Sequence, residues 1–335
     1  MPSPSRRIAL RWSVVATGSA ILLSGCGIRL EEDAPHVPLI PERTPIPQEA
    51  NLVALLHHMQ SLRAAVPAEY AAGLARQVEV LDSALRQAGV PQELLAAPSP
   101  SDAEPTAPSS GTSASTGSSP TSATSSAQEP GSGSSSTSAT TTDPAKPDAV
   151  GLALVASSAA QEVLPGAASA LRPTLAAMTV SWDLLRQSLD SNATQMALHP
   201  GKLPQAAALT LLSAAREAVY GLEVAAARSG GATRKRAIAS LQTVRGRVSA
   251  LEGQLGDSAP ATPSAYTLPL SVSDDSTARR LIRHLTAGLV TACGATLPEG
   301  TADPKTALAS AGWLWESAAL DAEWGAPWSA FPGLA

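Results

Sequence analysis

The sequence predicts an all-α protein, because apolar residues recur at the helical spacing of three and four in one segment after another. The first such set is Leu52, Leu55, Leu56, Met59 and Leu62. No segment alternates β-branched and polar residues for long enough to suggest a half-buried strand. Pro and Gly residues separate the periodic segments, as is typical of connections between helices.

Two short periodic regions, 49–97 and 149–195, each predict a pair of helices. In the first region, Pro67 stands where a second helix begins, and Gly89 with Pro91 stands where that helix ends. An amphipathic helical hairpin needs a partner for its apolar face. We therefore expect the two pairs to complete one N-terminal helical bundle.

The segment between these pairs, residues 98–148, consists almost entirely of Ser, Thr, Pro, Ala and Gly with a few acids. It contains no apolar residue larger than Ala, so folding would not offset its loss of conformational entropy. The composition predicts a disordered linker that interrupts the N-terminal bundle. Tracts of Ser and Thr with Pro are also typical of O-glycosylated segments, and both interpretations stay open.

The C-terminal region, residues 204–335, predicts four further helices, at 204–229, 233–255, 274–296 and 303–324. Gly230-Gly231 predicts a tight turn that makes the first two helices antiparallel neighbours. A longer connection with three prolines then crosses the end of the bundle. Ser273 or Asp274 is a candidate N-cap for the third helix, and Asp303 for the fourth.

The N-terminus has the charge and apolarity of a signal peptide, which we assign to residues 1–25. Arg6, Arg7 and Arg11 precede and flank an apolar stretch at 12–23. Twelve helical residues span about 18 Å, too little to cross a hydrocarbon core of about 30 Å. The adjacent Arg6 and Arg7 are compatible with export by either the twin-arginine or the general secretory route, and both stay open.

Leu23-Ser24-Gly25-Cys26 follows this apolar stretch directly and resembles the lipobox of bacterial lipoproteins. The resemblance implies that Cys26 becomes the first mature residue and carries acyl chains such as palmitate. Two chains hold a protein stably on a bilayer. We expect an anchor on the extracytoplasmic face of the cell membrane, followed by a Pro-rich spacer in the region 26–48.

Charge excludes nucleic acid as a partner. The formal net charge of the chain is −5, and loss of three arginines with the signal peptide takes it to −8. An acidic protein is repelled by phosphate backbones and anionic headgroups alike. The second cysteine, Cys293, lies in a helical apolar run, and we expect it to be a small buried residue.

Several short motifs give the C-terminal region its resemblance to an actinobacterial ferritin-like domain of unknown function, a four-helix bundle of predicted envelope proteins. They are Glu217-Ala218-Val219-Tyr220-Gly221, Ala265-Tyr266-Thr267-Leu268-Pro269, Val272-Ser273-Asp274, Trp324 and Phe331-Pro332-Gly333-Leu334. Their order and spacing match over about 204–335. The resemblance implies a ferritin-like four-helix domain there.

Ferritin-like metal sites combine carboxylates on facing helices with Glu-x-x-His pairs. Residues 150–335 contain no Glu-x-x-His, and Ala215-Arg216 stands where relatives tend to show a Glu-His pair. We therefore predict no metal or other cofactor and no catalytic residue. Four residues remain weak candidate metal ligands: Glu217, His284, Glu316 and Glu323.

Two further sets of residues, one basic and one aromatic, each have two interpretations. Basic residues on the second C-terminal helix, including Arg234, Arg245 and Arg247, suit either an anionic ligand or a solvated face paired with acids. Four tryptophans near the C-terminus suit either the core or an exposed patch for a sugar or partner. We expect the core, because the chain has a single Phe and Ala-rich helices.

The predicted function is that of a membrane-anchored envelope lipoprotein with a non-catalytic binding or scaffolding role. Its expected partners are the membrane, through Cys26, and an unidentified envelope protein or apolar ligand. One alternative is a divergent ferritin-like, metal-dependent oxidoreductase. A second is a carrier that holds a lipid or another apolar molecule in its core.

Overall fold

The computed structural model describes residues 43–96, 148–194 and 198–334. In these ranges every regular element is helical, so the all-α prediction is confirmed for the described residues. The helices are α1 (Glu49–Ala65), α2 (Ala68–Gln87), α3 (Gln92–Leu95), α4 (Ala149–Gly166), α5 (Arg172–Leu189), α6 (Gln205–Arg228), α7 (Gly231–Leu255), α8 (Asp275–Gly300) and α9 (Pro304–Glu323).

The helices of the two expected bundles share one core, and the described residues from Pro45 onward form one compact unit. The core runs from Leu55 of α1 through Trp182 of α5 to Leu314 of α9, all fully buried. Helix α4 packs on α1, α5 and α9, and α5 also packs on α8 and α9. Helices α4 and α5 thus bury part of their apolar faces on α8 and α9. The predicted N-terminal bundle did not include this packing.

A second, smaller core lies where α6, α7, α8 and the end of α9 meet. It consists largely of alanines and leucines, and its largest side chain is that of Trp324. The indole N–H of Trp324 donates to the Ser240 hydroxyl at 3.0 Å, and the guanidinium of Arg236 lies 4.6 Å from the ring centre. One tryptophan thus supplies much of the volume that small side chains leave unfilled.

The predicted helix caps are confirmed. The Asp274 carboxylate accepts from the Thr277 backbone N–H at 2.8 Å, and the Thr277 hydroxyl accepts from the Asp274 backbone in return, a complete capping box. Asp303 caps α9 through the Lys305 N–H at 2.9 Å. Gly231, with a φ of +50°, makes the turn into α7, a left-handed conformation that glycine adopts without strain.

The last ten described residues, 325–334, form a tail that folds back over α2, α5 and α8. The amide of Gln77, on α2 and fully buried, accepts from the Trp182 indole at 2.7 Å and donates to the Ala330 carbonyl at 2.5 Å. The Ser181 hydroxyl donates to the Ser329 carbonyl at 2.7 Å. These bonds satisfy polar groups of the tail that would otherwise be buried unpaired.

The end of the tail crosses α8 at a place where a side chain has no room. A Cβ built on Gly294 would lie 1.8 Å from the Gly333 carbonyl oxygen, and Gly333 itself has a φ of +76°. The Pro-Gly-Leu motif of the tail therefore needs glycine on both surfaces of the contact.

Among the described residues, α4 alone is long and apolar enough to qualify as a membrane span by composition. Only 33 % of that stretch is buried, and Leu154 and Val155 are each 43 % exposed. A core helix meets the same criterion, and α4 packs on three other helices here, so its composition by itself is weak evidence for a span.

Candidate functional site

An open groove of 1060 Å³ runs between the tail and helices α2, α5, α8 and α9, and we call it the tail groove. Its size suits a small organic ligand or a short peptide segment. Its aromatic lining comes from two helices and the tail, and its charged lining is made of carboxylates. These residues are Tyr70, Trp315, Trp328 and Phe331, and Glu69, Asp321 and Glu323.

The aromatic lining is held rigidly. The rings of Tyr70 and Trp328 meet edge to face, with centres 5.4 Å apart and planes at 88°. The Trp328 indole N–H donates to the Ser181 carbonyl at 2.9 Å. A Cβ on Gly73 would lie 2.5 Å from the Trp328 ring, so this glycine lets the ring lie directly on α2. Because these side chains are already fixed, little side-chain entropy is lost when a ligand binds against them.

Asp321 is a half-buried acid of the groove. The Thr286 hydroxyl on α8 donates to its Oδ1 atom at 2.5 Å. Burial raises the pKa of Asp321, and the hydrogen bond from Thr286 and the charge of Arg283 oppose this shift. The carboxylate is thus partly desolvated, and Thr286 is its one hydrogen-bond donor among the described residues.

A buried ion pair fixes the floor of the groove. Asp183 on α5 is fully buried and accepts from Arg186 at 2.7 Å, from Gln187 at 3.0 Å and from the Trp315 indole at 2.6 Å. Arg186 also donates to the Thr194 carbonyl. Because Trp315 lies on α9, this network locks the aromatic floor to α5.

The structure does not bring the four weak metal-ligand candidates together. Glu217, His284 and Glu323 are exposed. Glu316 is half-buried and paired with Arg247. Within the described ranges, no cluster of three or more His, Cys, Asp or Glu side chains has metal-binding geometry.

The partner of Glu316 is the buried side chain of Arg247. Its Nε donates to the Glu316 carboxylate at 3.0 Å and its Nη2 to the Glu316 carbonyl at 2.8 Å. Burial lowers the pKa of Arg247, and the carboxylate of Glu316 opposes this shift. Arg247 is 7 % exposed, so the part of the predicted basic face that includes it is wrong. Arg245 is exposed and paired with Glu223, as a solvated face predicts.

The expectation for Cys293 is confirmed. It is a free cysteine, buried against Ser317, whose hydroxyl lies 3.3 Å from the thiol sulfur. Burial raises the pKa of the Cys293 thiol to about 11. A thiol in this state is a packing group rather than a nucleophile.

Three of the four C-terminal tryptophans, Trp313, Trp315 and Trp324, are 5–7 % exposed, which confirms their expected place in the core. Trp328 is half-buried in the tail groove. Cys26, the signal peptide and nearly all of the predicted linker, up to residue 147, lie outside the described residues. Asp148, the last residue assigned to the linker, caps α4.

Sequence reasoning missed Asp321 and Asp183. Each stands in a run of apolar helical residues, a position where an acid is seldom tolerated without a partner. The Asp183-x-x-Arg186 spacing was a readable signal for a pair on one helix face. The groove carried no such signal, because its lining comes from segments that are far apart along the chain.

Residues 207–335 match the family model described as a domain of unknown function (DUF4439). The match spans α6–α9 almost completely, together with the tail. It therefore includes the aromatic and acidic residues that α9 and the tail contribute to the groove, whereas Tyr70 and Glu69 lie outside it. No curated protein and no solved structure matched the chain.

Proposed function

We propose that this protein is a membrane-anchored binding protein of the cell envelope that holds its ligand in the tail groove. The observation that carries the proposal is the combination of rigid aromatic walls and one half-buried carboxylate, Asp321, in a single open groove. Ligand sites are typically concave and apolar with a few placed polar groups.

The anchor is supported by the sequence at the N-terminus. A basic segment, a short apolar stretch and Leu23-Ser24-Gly25-Cys26 stand in the order that lipoprotein signals require. Lipidation of Cys26 would place the mature chain on the outer face of the membrane. Growth on labelled palmitate tests this: the wild-type chain incorporates label, and the Cys26→Ser chain does not. Unlabelled, freely soluble wild-type protein would contradict the anchor.

We also propose that α6–α9 form a ferritin-like bundle whose interior serves packing. Four long helices with a long connection between the second and third support this arrangement. Glu316, a candidate ligand for such a site, is paired with Arg247 rather than with a second carboxylate, which gives the oxidoreductase alternative no support. Stoichiometric iron or manganese in the tag-free protein would revive that alternative.

A pair of matched substitutions tests the groove as the binding site. Ala287 lines the groove on α8, and Ala239 is an exposed residue of α7 outside it. Ala287→Trp is expected to fill the groove, whereas Ala239→Trp adds the same bulk elsewhere. Native mass spectrometry after incubation with small molecules extracted from the cell envelope should show a bound mass that Ala287→Trp loses and Ala239→Trp keeps. Equal loading of the two variants would refute the groove as the site.

A further inference from the structure

The charges that line the tail groove all have one sign. Glu69 contributes a carboxylate from α2, and Asp321 and Glu323 contribute two from α9. No Lys, Arg or His among the described residues lines the groove. Carboxylates that share one concave, partly apolar surface raise the local concentration of cations and repel anions.

Asp321 is the carboxylate best placed to hold a cation. It is half-buried, and its Oδ1 atom accepts from the neutral Thr286 hydroxyl. Its Oδ2 atom accepts no hydrogen bond from the part of the chain that the structure describes. Arg283 acts on this carboxylate through its charge, but no hydrogen bond joins the two among the described residues. A charged donor from a ligand would supply the hydrogen bond that Oδ2 lacks, and such charge-assisted bonds are the strong ones.

The aromatic lining suits the rest of such a ligand. Trp328, Tyr70 and Phe331 present half-buried rings to the groove, and Trp315 forms part of its floor. Indole and phenol faces attract cations through their quadrupole and also bury apolar surface. Both effects favour a ligand that joins a positive charge to a hydrophobic body.

We propose, on the basis of the tail groove as the binding site, that its ligand is an apolar cation, with an ammonium or guanidinium group on a hydrophobic body. The group lies at Asp321, and the body lies against Trp328 and Phe331. This assignment adds a chemical class to the proposed binding role.

The main competitor is an anionic ligand, because a smaller depression adjoins the groove at Asp321. Arg280, Arg283 and His284 line this depression, and all three are exposed to solvent. An anion bound there would lie outside the aromatic walls, in water, where screening weakens its attraction to the arginines. The observations therefore favour the cation, and the test includes an anionic arm.

Three probes share one apolar body and differ in charge: 4-phenylbutylamine, 4-phenylbutan-1-ol and 4-phenylbutyrate. The full chain with Cys26→Ser, labelled with 5-fluorotryptophan, is titrated with each probe and followed by fluorine NMR. Trp328 reports on the groove, and Trp324 serves as internal control because it lies in the second core. Signals are assigned through Trp328→Phe and Trp324→Phe.

We expect the amine to shift the Trp328 signal and leave that of Trp324 in place. The amine should bind about five- to tenfold more tightly than the alcohol, and the carboxylate more weakly than either. Asp321→Asn should abolish the preference of amine over alcohol. The matched change Asp257→Asn, at an exposed acid outside the groove, should leave it intact.

Each other outcome overturns the inference in a recognisable way. Equal binding of amine and alcohol at Trp328 refutes the cation and leaves the groove as a site. Tighter binding of 4-phenylbutyrate, with loss in Arg283→Gln, assigns the ligand to the basic depression. A Trp328 signal that none of the probes moves refutes the groove together with the ligand class.

Discussion

The Asp183–Arg186 pair provides a sharp test of how the floor of the tail groove is held. Asp183→Ala removes the acceptor of three donors and leaves Arg186, whose side chain is 5 % exposed, without its carboxylate. Breaking a buried pair on one side costs about 3–5 kcal/mol, because the remaining charge is desolvated and unpaired. For a unit of this size that corresponds to a fall in Tm of roughly 6–20 °C.

The matched control is Asp82→Ala on α2. Asp82 pairs with Arg86 one helical turn away at 2.8 Å, and the two side chains are 27 % and 51 % exposed. The Asp–Arg pairing is the same, but this pair is more exposed and Arg86 is the one donor to Asp82 among the described residues, so we expect a loss of about 0.5 kcal/mol or less. Circular dichroism at 222 nm during heating at neutral pH measures both variants.

A double variant separates the buried charge from simple loss of packing. Asp183→Ala with Arg186→Met removes both charges, and it should be more stable than Asp183→Ala alone, because apolar groups replace a buried pair at little cost. The reasoning is refuted if Asp183→Ala melts within about 2 °C of Asp82→Ala, or if the double variant is the least stable of the three.

Three further predictions concern the tail, the thiol and a helix cap. Gly294→Ala should displace the tail, because the added Cβ would lie 1.8 Å from the Gly333 carbonyl oxygen. Acrylamide should then quench the fluorescence of Trp328 more strongly. The control Gly288→Ala, on the same helix with open space around it, should leave the quenching unchanged. In the Cys26→Ser chain, Ellman's reagent at about pH 8 should react with Cys293 only after unfolding, because the thiol is buried with a pKa of about 11; rapid reaction of the native protein would contradict this. Hydrogen bonds from Thr277 lower the pKa of Asp274, so the stability this carboxylate adds is present above its unfolded pKa and is lost as the pH falls through its folded one. The difference in Tm between wild type and Asp274→Ala should therefore shrink from about pH 6 to about pH 3, and a difference that stays constant would argue against a charged cap.

Helix positions and caps were predictable because they depend on local patterns. The 3.6-residue period, the Asp residues before α8 and α9 and the Gly-Gly turn act over one or two turns of chain. The end of α8 shows the limit of such reasoning. Pro298 lies in its last turn, and the helix continues to Gly300, beyond the predicted end at 296.

The role of each acid was not predictable, because burial depends on neighbours that are distant in sequence. Glu316 was read as a weak metal-ligand candidate, yet Arg247, 69 positions away along the chain, pairs with it. Asp321 was overlooked, yet its partial burial raises its pKa against the opposing hydrogen bond from Thr286. Solvation and partners, which determine what an ionisable group does, are properties of the packed state.

The sequence by itself determined that the described residues are helical, which Asp residues cap α8 and α9, and that the net charge is acidic. Only the tertiary structure decided that the early helices share a core with the C-terminal ones and that the tail returns over α2, α5 and α8 to form a groove. The physical reason is the range of the forces involved. Backbone hydrogen bonds and caps act within a few residues, whereas burial of apolar surface is non-directional and depends on which faces meet in space.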